Sequence, residues 1–186
     1  MRYVSVLVLI GIRVFAADTV VTFDPLKTQV HWTLGTVLHT VHGTFQLKSG
    51  TIQFDPATGK ASGHLVVSAA SGESGNESRD KKMHSSILES VRFPEAVFTP
   101  DLVKGTVAKE GKSTIEVHGI FQLHGQGHEF AMPVEVEMKG GQAVTVSKFA
   151  VPFIKWGLKN PSTFVLRTND TVEIEIQATA RVTNSN

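Results

Sequence analysis

Charged and titratable side chains concentrate in one stretch of the sequence, residues 71–86, which reads SGESGNESRDKKMHSS. Arg79 carries forked donors that suit a phosphate or carbonyl oxygen. Histidine as a residue type titrates near neutral pH, so protonation at His84 could make the release of a ligand depend on pH. Arg79 and Asp80 could equally form a local ion pair on a solvated helix, which would have no binding role. This stretch is the best candidate to meet a polar group.

Histidine is the residue type most suited to binding a metal here, since the sequence has eight histidines and no cysteine. Zinc needs three or four converging ligands. His39 and His42 lie on opposite faces of a predicted strand, while His124 and His128 flank a Gly-Gln-Gly turn and could approach each other across a hairpin. No carboxylate completes a metal motif and HExxH is absent, so no metal site is predicted. The eight are His31, His39, His42, His64, His84, His118, His124 and His128.

Several functional classes are disfavoured by composition and motifs. The 186 residues include 18 basic and 17 acidic side chains, a net charge of +1, and no block of like charges that would bind nucleic acid. The absence of cysteine excludes disulfides and a cysteine nucleophile. No serine lies in a G-x-S-x-G elbow. The sequence therefore predicts neither an enzyme nor a nucleic-acid-binding protein.

A short amphipathic helix is predicted after Ser74. Its apolar residues fall at i, i+4, i+5 and i+8 and occupy one face, namely Met83, Ile87, Leu88 and Val91. Ser74 and Glu77 have the spacing of a capping box, Asn76 is a second N-cap candidate, and Pro94 ends the segment. A single helix of this kind in a chain of strands is expected to cover an opening or an edge of the sheet.

The remainder of the sequence alternates like β-strand. Apolar residues share one face from Val37 to Leu47, a turn is predicted at Ser49-Gly50, and residues 55–60 form a turn cluster. In the last strand Val172 to Ala180 alternates with polar residues. Nine or so strands and one helix predict an all-β fold, an antiparallel barrel or sandwich. No linker is visible, so residues 18–186 are predicted to form one domain.

One heptad occurs twice, as VHGTFQL from Val41 and as VHGIFQL from Val117. Glycine within a strand permits a sharp bend or a close approach of another backbone. The repeat predicts that both strands coil strongly at Gly43 and Gly119 to close a barrel.

Residues 1–17 have the pattern of a secretory signal peptide, with Arg2, an apolar run and small residues at Ala16-Ala17. The apolar run is too short to span a bilayer comfortably. An ordinary first strand is the alternative. The pattern predicts a periplasmic or secreted mature protein, with no later segment that would hold it stably in a membrane.

Several blocks of the sequence together resemble one known family. These are Phe23-Asp24-Pro25, Val30-His31-Trp32, residues 40–45 (TVHGTF), residues 50–55 (GTIQFD), residues 74–84 (SGNESRDKKMH), residues 93–98 (FPEAVF), His118-Gly119, residues 149–152 (FAVP) and residues 172–176 (VEIEI). In this order they resemble the YceI-like family. The resemblance implies an exported, lipocalin-like antiparallel barrel of about eight strands that holds an isoprenoid-type lipid, and it is compatible with a homodimer. Residues 153–158 depart from the family pattern.

A barrel of eight strands has an interior large enough for one small or elongated ligand. The inward positions here are mostly aliphatic or phenylalanine, so an isoprenoid-type or quinone-like amphiphile is the expected ligand and no other cofactor is predicted. The two tryptophans could instead be core or rim packing. The candidate ligand-binding residues are Trp32, Val41, Phe45, Arg79, Met83, His84, Ile87, Phe98, Phe121 and Trp156.

A carrier of such a lipid, with a possible role in stress response, is the leading functional hypothesis. Two alternatives remain open at this stage. One is an interaction module whose barrel is filled by side chains and holds no ligand. The other is a lipid-directed enzyme with its chemistry at the helix.

Overall fold

The computed structural model of the protein describes residues 18–162 and 167–184, and the predicted signal peptide lies outside them. The described residues form nine strands and a short helical segment. The strands are β1 (Thr19–Phe23), β2 (Gln29–Gly35), β3 (Thr40–Phe54), β4 (Ala61–Glu73), β5 (Glu95–Lys104), β6 (Gly111–Leu123), β7 (Gln126–Lys139), β8 (Gln142–Val151) and β9 (Val172–Asn184). Among these residues no helix is long and apolar enough to cross a bilayer.

The described strands close into an antiparallel barrel with eight strand positions. Each strand from β2 to β9 pairs with the next along the chain, and β9 pairs back with β2. β1 lies beyond the end of β2 and pairs with both β3 and β9 there, so β1 and β2 share one position. A 3-10 turn, Pro25–Lys27, separates them, and Asp24 caps this turn by accepting a hydrogen bond from the Leu26 amide at 3.0 Å. The predicted barrel is confirmed.

Two local sequence predictions on β3 are wrong. Ser49-Gly50 is not a turn, because β3 runs through it and Gly50 pairs with Leu65; a register shift after Leu47 absorbs the irregularity as a bulge. The strand also begins only at Thr40, so Val37 and Leu38 lie in the β2–β3 turn and are largely exposed. Their alternation with the following residues is therefore not a strand signal.

The two repeated glycines permit the backbone approaches that the heptads predict. A Cβ on Gly43 would lie 2.1 Å from the carbonyl oxygen of Glu73, and a Cβ on Gly119 would lie 2.2 Å from that of Thr99. Both distances are far below van der Waals contact, so neither position accepts a side chain without a backbone shift. Register shifts follow in the β3–β4 and β5–β6 pairs beside these glycines.

One end of the barrel, here called the packed end, is filled by side chains. The buried residues there come from β3 and β5 to β9, and β1 adds the partly buried Val21 and Phe23. Large side chains interleave with alanines, which is typical of a densely packed core. The buried residues of the packed end are Phe54, Val103, Ile115, Val117, Val136, Met138, Ala143 and Ala180.

Candidate functional site

The other end, here called the open end, contains a cavity of about 500 Å³. This is within the usual range of small-molecule sites. All eight strand positions contribute to its wall, and nearly every strand residue in the wall is aliphatic or aromatic. The strand residues are Val30, Trp32, Leu34, Val41, Phe45, Leu65, Val67, Ala69, Ala96, Phe98, Phe121, Leu123, Met132, Phe149, Val151, Val172, Ile174 and Ile176. Such a wall favours an apolar ligand.

The predicted helix covers this opening. It consists of α1 (Glu77–Lys82) and a π-helical turn (Met83–Ile87), together called the mouth helix. Met83, Ile87 and Leu88 line the cavity. The chain then leaves helical geometry at Glu89, which has a φ of 46°, and Val91 is fully exposed. The prediction that Val91 belongs to the apolar face of the helix is therefore wrong.

The N-terminus of the mouth helix differs from the predicted capping box. Asn76 is the N-cap, and its side chain accepts a hydrogen bond from the Arg79 amide at 3.0 Å. The Ser74 hydroxyl donates instead to the Asp80 carboxylate. Asn is as good an N-cap as Ser, so the local sequence offered two caps, and Ser74 bonds instead with the Arg79 and Asp80 side chains.

Ser74 also holds the Arg79 side chain at the cavity. Arg79 Nε donates to Ser74 Oγ at 2.7 Å, and its Nη2 donates to the Ser74 carbonyl at 2.9 Å. Ser74 therefore bridges Arg79 and Asp80, which replaces the simple ion pair considered from sequence. Arg79 lies in the cavity lining and is only partly exposed. Its guanidinium is fixed by these bonds rather than free to sample solvent.

Lys82 is the second cation of the lining, and it connects the mouth helix to the segment before β9. Its Nζ donates to the Pro161 carbonyl at 3.1 Å. The other polar residues of the lining are Thr36, His39, Asn76, Ser78 and Thr168, of which Thr36 and Thr168 are joined by a β-bridge. Within the described residues no Asp or Glu lines the cavity. The opening is therefore cationic.

His84 lies outside the cavity lining and serves as a link between elements. Its Nε2 is 2.8 Å from the Gly72 carbonyl and its Nδ1 is 2.9 Å from Ser90 Oγ. A carbonyl only accepts, so Nε2 carries the proton and Nδ1 accepts from the Ser90 hydroxyl. Ser90 is buried and also lies outside the lining. The pair joins the mouth helix to β4 and to the loop that follows.

Trp156 also lies outside the lining, within an aromatic cluster behind the wall. Its ring stacks on His128 with centroids 4.3 Å apart, and it packs against Phe121 and Phe130 at 5.5 and 5.8 Å. This is the packing alternative considered for the tryptophans. Trp32, in contrast, does line the cavity, although it too is buried.

The structure thus brings eight of the ten candidates to the cavity wall: Trp32, Val41, Phe45, Arg79, Met83, Ile87, Phe98 and Phe121. Their contact with a ligand stays a prediction. Sequence reasoning omitted Ile174 and Ile176, although the alternation of β9 places them on one face. It also omitted Phe153 and Leu158, which lie in an irregular segment where no periodicity marks the inward side chains.

Several other histidines each contact one neighbouring side chain rather than one another. His42 bonds Thr33, His64 bonds Thr99, and His118 bonds Asp101. His124 lies 3.0 Å from Glu89, so it and His128 face different partners rather than each other. Among the described residues no group of three or more His, Asp or Glu side chains is placed to hold a metal.

Glu89 connects the loop after the mouth helix to two other elements. Its carboxylate is 3.0 Å from His124 Nε2 and 3.4 Å from Lys159 Nζ. Partial burial raises the pKa of Glu89, but hydrogen bonds from Lys159 and His124 outweigh this and lower it below its ordinary value. Glu89 makes these contacts from a backbone with a positive φ of 46°.

Solved structures with the same architecture span most of the chain. BcnA of Burkholderia cenocepacia superimposes with a TM-score of 0.69 at 16% identity and covers 84% of this chain and 98% of its own. A polyisoprenoid-binding domain from Saccharophagus degradans, implicated in plant cell wall breakdown, gives 0.64 at 13% identity over 88% of this chain and 98% of its own. A YceI protein of Campylobacter jejuni gives 0.56 at 14% identity, covering 74% and 81%. At these identities the likeness shows the fold alone.

Comparisons of sequence identify partial relatives and a family. UPF0312 proteins of Pseudomonas savastanoi pv. phaseolicola and Pseudomonas syringae pv. syringae are 37% identical over 87 residues. The matched segment is 46% of this chain and 43% of each relative, so less than half of either protein is compared. The model of the YceI-like domain matches residues 21–180, from β1 into β9. The chain belongs to the YceI-like family.

Proposed function

We propose that the protein is an exported carrier that holds one isoprenoid-type or similar amphiphilic lipid in the barrel cavity. The observation that carries this proposal is the cavity of about 500 Å³ with an apolar wall and a cationic opening. Each ligand methylene buried against such a wall contributes roughly 0.8 kcal/mol. A chain of several isoprene units therefore binds without any covalent or catalytic group.

The direction of the ligand follows from where the polar residues lie. The wall between the strands is aliphatic and aromatic, whereas Arg79, Lys82 and His39 are at the rim. A buried polar group without a partner is costly, so the polar head of the amphiphile belongs at the rim and the tail inside. Fixed donors on Arg79 suit an oxygen of the head group.

The alternatives are less well supported. A filled-barrel module requires that inward side chains leave no space, and the open end has that space. A hydrolase would need a nucleophile with a base beside it, facing the ligand. The Ser90–His84 pair lies outside the cavity lining, and Ser78, which is in the lining, has no histidine bonded to it among the described contacts. The binding of a polyisoprenoid by the Saccharophagus domain supports a lipid ligand here. Export to the periplasm or medium is supported by the pattern of residues 1–17, and a role in stress response is part of the proposal.

The test is mass spectrometry of the purified protein, both intact under native conditions and after organic extraction. We expect a stoichiometric long-chain amphiphile, or stoichiometric uptake of added isoprenoid quinone. Ala69→Phe places an aromatic ring in the cavity and is expected to reduce this occupancy at least tenfold. Ala70→Phe is the matched control, since Ala69 is a buried wall residue and Ala70, its neighbour on β4, is exposed.

Both variants need thermal unfolding measurements, because an inserted ring that strains the core would also lower occupancy. A folded Ala69→Phe protein with reduced ligand, beside an Ala70→Phe protein with full ligand, supports the cavity as the site. A wild-type protein that contains no lipid and takes up neither isoprenoid quinones nor prenyl phosphates would overturn the carrier function.

A further inference from the structure

Two neighbouring aliphatic side chains project into solvent at the tip of the β2–β3 hairpin. Val37 is 73% exposed and Leu38 is 72% exposed. The amide of Thr36 donates to the carbonyl of His39 at 3.0 Å, so these two residues form the whole connection. Two-residue hairpin turns favour glycine, asparagine or aspartate. Neither the turn nor the core therefore explains two large apolar residues at this position.

The tip lies directly on the rim of the cavity. Thr36 and His39, which flank it, both line the opening, and the amide of Val37 donates to the carbonyl of Arg167 at 3.1 Å. The fully exposed Val91 lies in the loop between the mouth helix and β5, at the same end of the barrel. Leu26, in the 3-10 turn between β1 and β2 and beside the middle of β9, is a comparably exposed residue away from the opening.

The charges around the opening complement an anionic surface. Arg79 and Lys82 line the cavity, and Lys81 and Arg167 are exposed beside it. The carboxylates of the same elements and of the residues that flank them are Glu73, Glu77, Asp80, Glu89 and Asp170. Asp80 accepts a hydrogen bond from Ser74, Glu73 accepts one from Thr44, and Glu89 pairs with His124 and Lys159. None of the five lines the opening within the described part of the chain. Apolar residues flanked by cations are typical of peripheral membrane contacts.

We propose that the open end of the barrel docks on a phospholipid surface that contains anionic lipids. Val37 and Leu38 insert among the head groups, and the cations at the rim contact lipid phosphates. The cavity then opens onto the membrane, and an amphiphile passes between bilayer and barrel without crossing water. This route of exchange rests on the proposed carrier function, whereas docking itself is measured without any ligand.

The experiment is flotation of the mature protein, its N-terminus verified by intact mass, with two kinds of vesicle. One is phosphatidylcholine alone and the other contains about 30% phosphatidylglycerol. We expect binding to the anionic vesicles that weakens as salt is raised, because salt screens the rim cations. The double variant Val37→Asp/Leu38→Asp should lower the partition coefficient at least tenfold, since it removes the aliphatic side chains and adds repulsion.

The matched control is Leu26→Asp/Val144→Asp, which makes the same change in charge at two exposed apolar residues away from the open end. It should change partitioning less than twofold. Equal losses in both variants, or no binding by the wild type, would overturn the docking surface. Sedimentation equilibrium tests a second copy as the occupant: a wild-type dimer that the tip variant makes monomeric, without vesicle binding, also overturns it.

Ligand occupancy of the two double variants separates docking from carriage. Tip variants that stay loaded but no longer bind vesicles support docking as a distinct property. An empty wild-type protein that still floats through its tip supports docking and contradicts only the carrier function.

Discussion

The same strands build two different interiors at the two ends of the barrel. β6 supplies Ile115 and Val117 to the packed end but Phe121 and Leu123 to the cavity wall. β9 likewise supplies Ala180 to one and Ile174 and Ile176 to the other. Both environments are apolar, and the residues that create the space are no smaller than those that fill it. Hydrophobicity along a strand therefore does not distinguish a core from a binding cavity.

The difference arises from what covers each end. At the packed end β1 adds a ninth strand segment, and Val21 and Phe23 pack against the buried core. At the open end the cover is the mouth helix, whose apolar contribution to the cavity is limited to Met83 and Ile87, with Leu88 just beyond it. A short helix over a wide opening leaves space beneath it that strand side chains do not fill. The cavity is a consequence of this cover.

The largest effect that would test this comparison is expected from two isoleucine-to-alanine substitutions. Ile115→Ala at the packed end should cost about 3 kcal/mol of the free energy of unfolding, because it leaves a void among buried neighbours. Ile174→Ala in the cavity wall should cost about 1 kcal/mol, since that side chain already borders empty space. Urea unfolding of the ligand-free proteins measures both.

Ligand affinity should respond in the opposite order. Ile174→Ala removes part of the surface that contacts the tail, so it should weaken lipid binding, while Ile115→Ala should leave binding by the folded protein unchanged. Equal losses of stability would show that the open end is packed as densely as the other and would contradict the distinction between the ends.

The barrel was predictable because it depends on local and repeated signals. Alternation identified most strands, and the glycines of the two heptads marked close approaches of backbone, which the 2.1 and 2.2 Å distances confirm. The errors at Ser49-Gly50 and Val37 have a common cause. Composition alone does not show whether a residue pairs with a neighbouring strand, and pairing decides both cases.

The candidate site was predictable only where a residue belonged to a periodic element. Phe45, Phe98 and Phe121 each belong to a predicted strand whose side chains alternate between two faces, and the structure places all three in the cavity wall. The sequence predicts that His84 meets a ligand because it lies on the same helix as Arg79 and Lys82, and the structure places only those two in the cavity lining. The π-helical turn rotates it toward β4 instead, and no pattern in the sequence marks that change of helical geometry.

A loss of stability of intermediate size is expected from a substitution at His84, which attaches the mouth helix to the barrel. His84→Ala removes the bonds to Gly72 and Ser90 and leaves a buried hydroxyl without its partner, which should cost about 1–2 kcal/mol. Hydrogen exchange should accelerate in residues 77–88 while β6 and β7 stay protected. His31→Ala is the control, since that exposed ring bonds only Gln29 among the described contacts. Uniform exchange across the barrel would mean that the helix is not a separate cover.

The smallest effect concerns the loop behind the mouth helix and depends on pH. The pKa of Glu89 is lowered because the hydrogen bonds from Lys159 and His124 outweigh the effect of burial, so the folded state favours its charged form. Its contribution to stability is therefore present above the ordinary pKa of 4.5 and is lost as the pH falls through the lowered pKa.

Glu89→Gln should accordingly be less stable than the wild type at pH 7, and the difference in stability should shrink steadily below pH 4.5. Chemical unfolding of the two proteins across this range measures it. Among the described residues no carboxylate is buried, so Ile115→Ala at the packed end should show a constant deficit over the same range. A difference between wild type and Glu89→Gln that grows on acidification would contradict the assigned contacts and leave the attachment of this loop to apolar packing of Phe93 against the His124 ring.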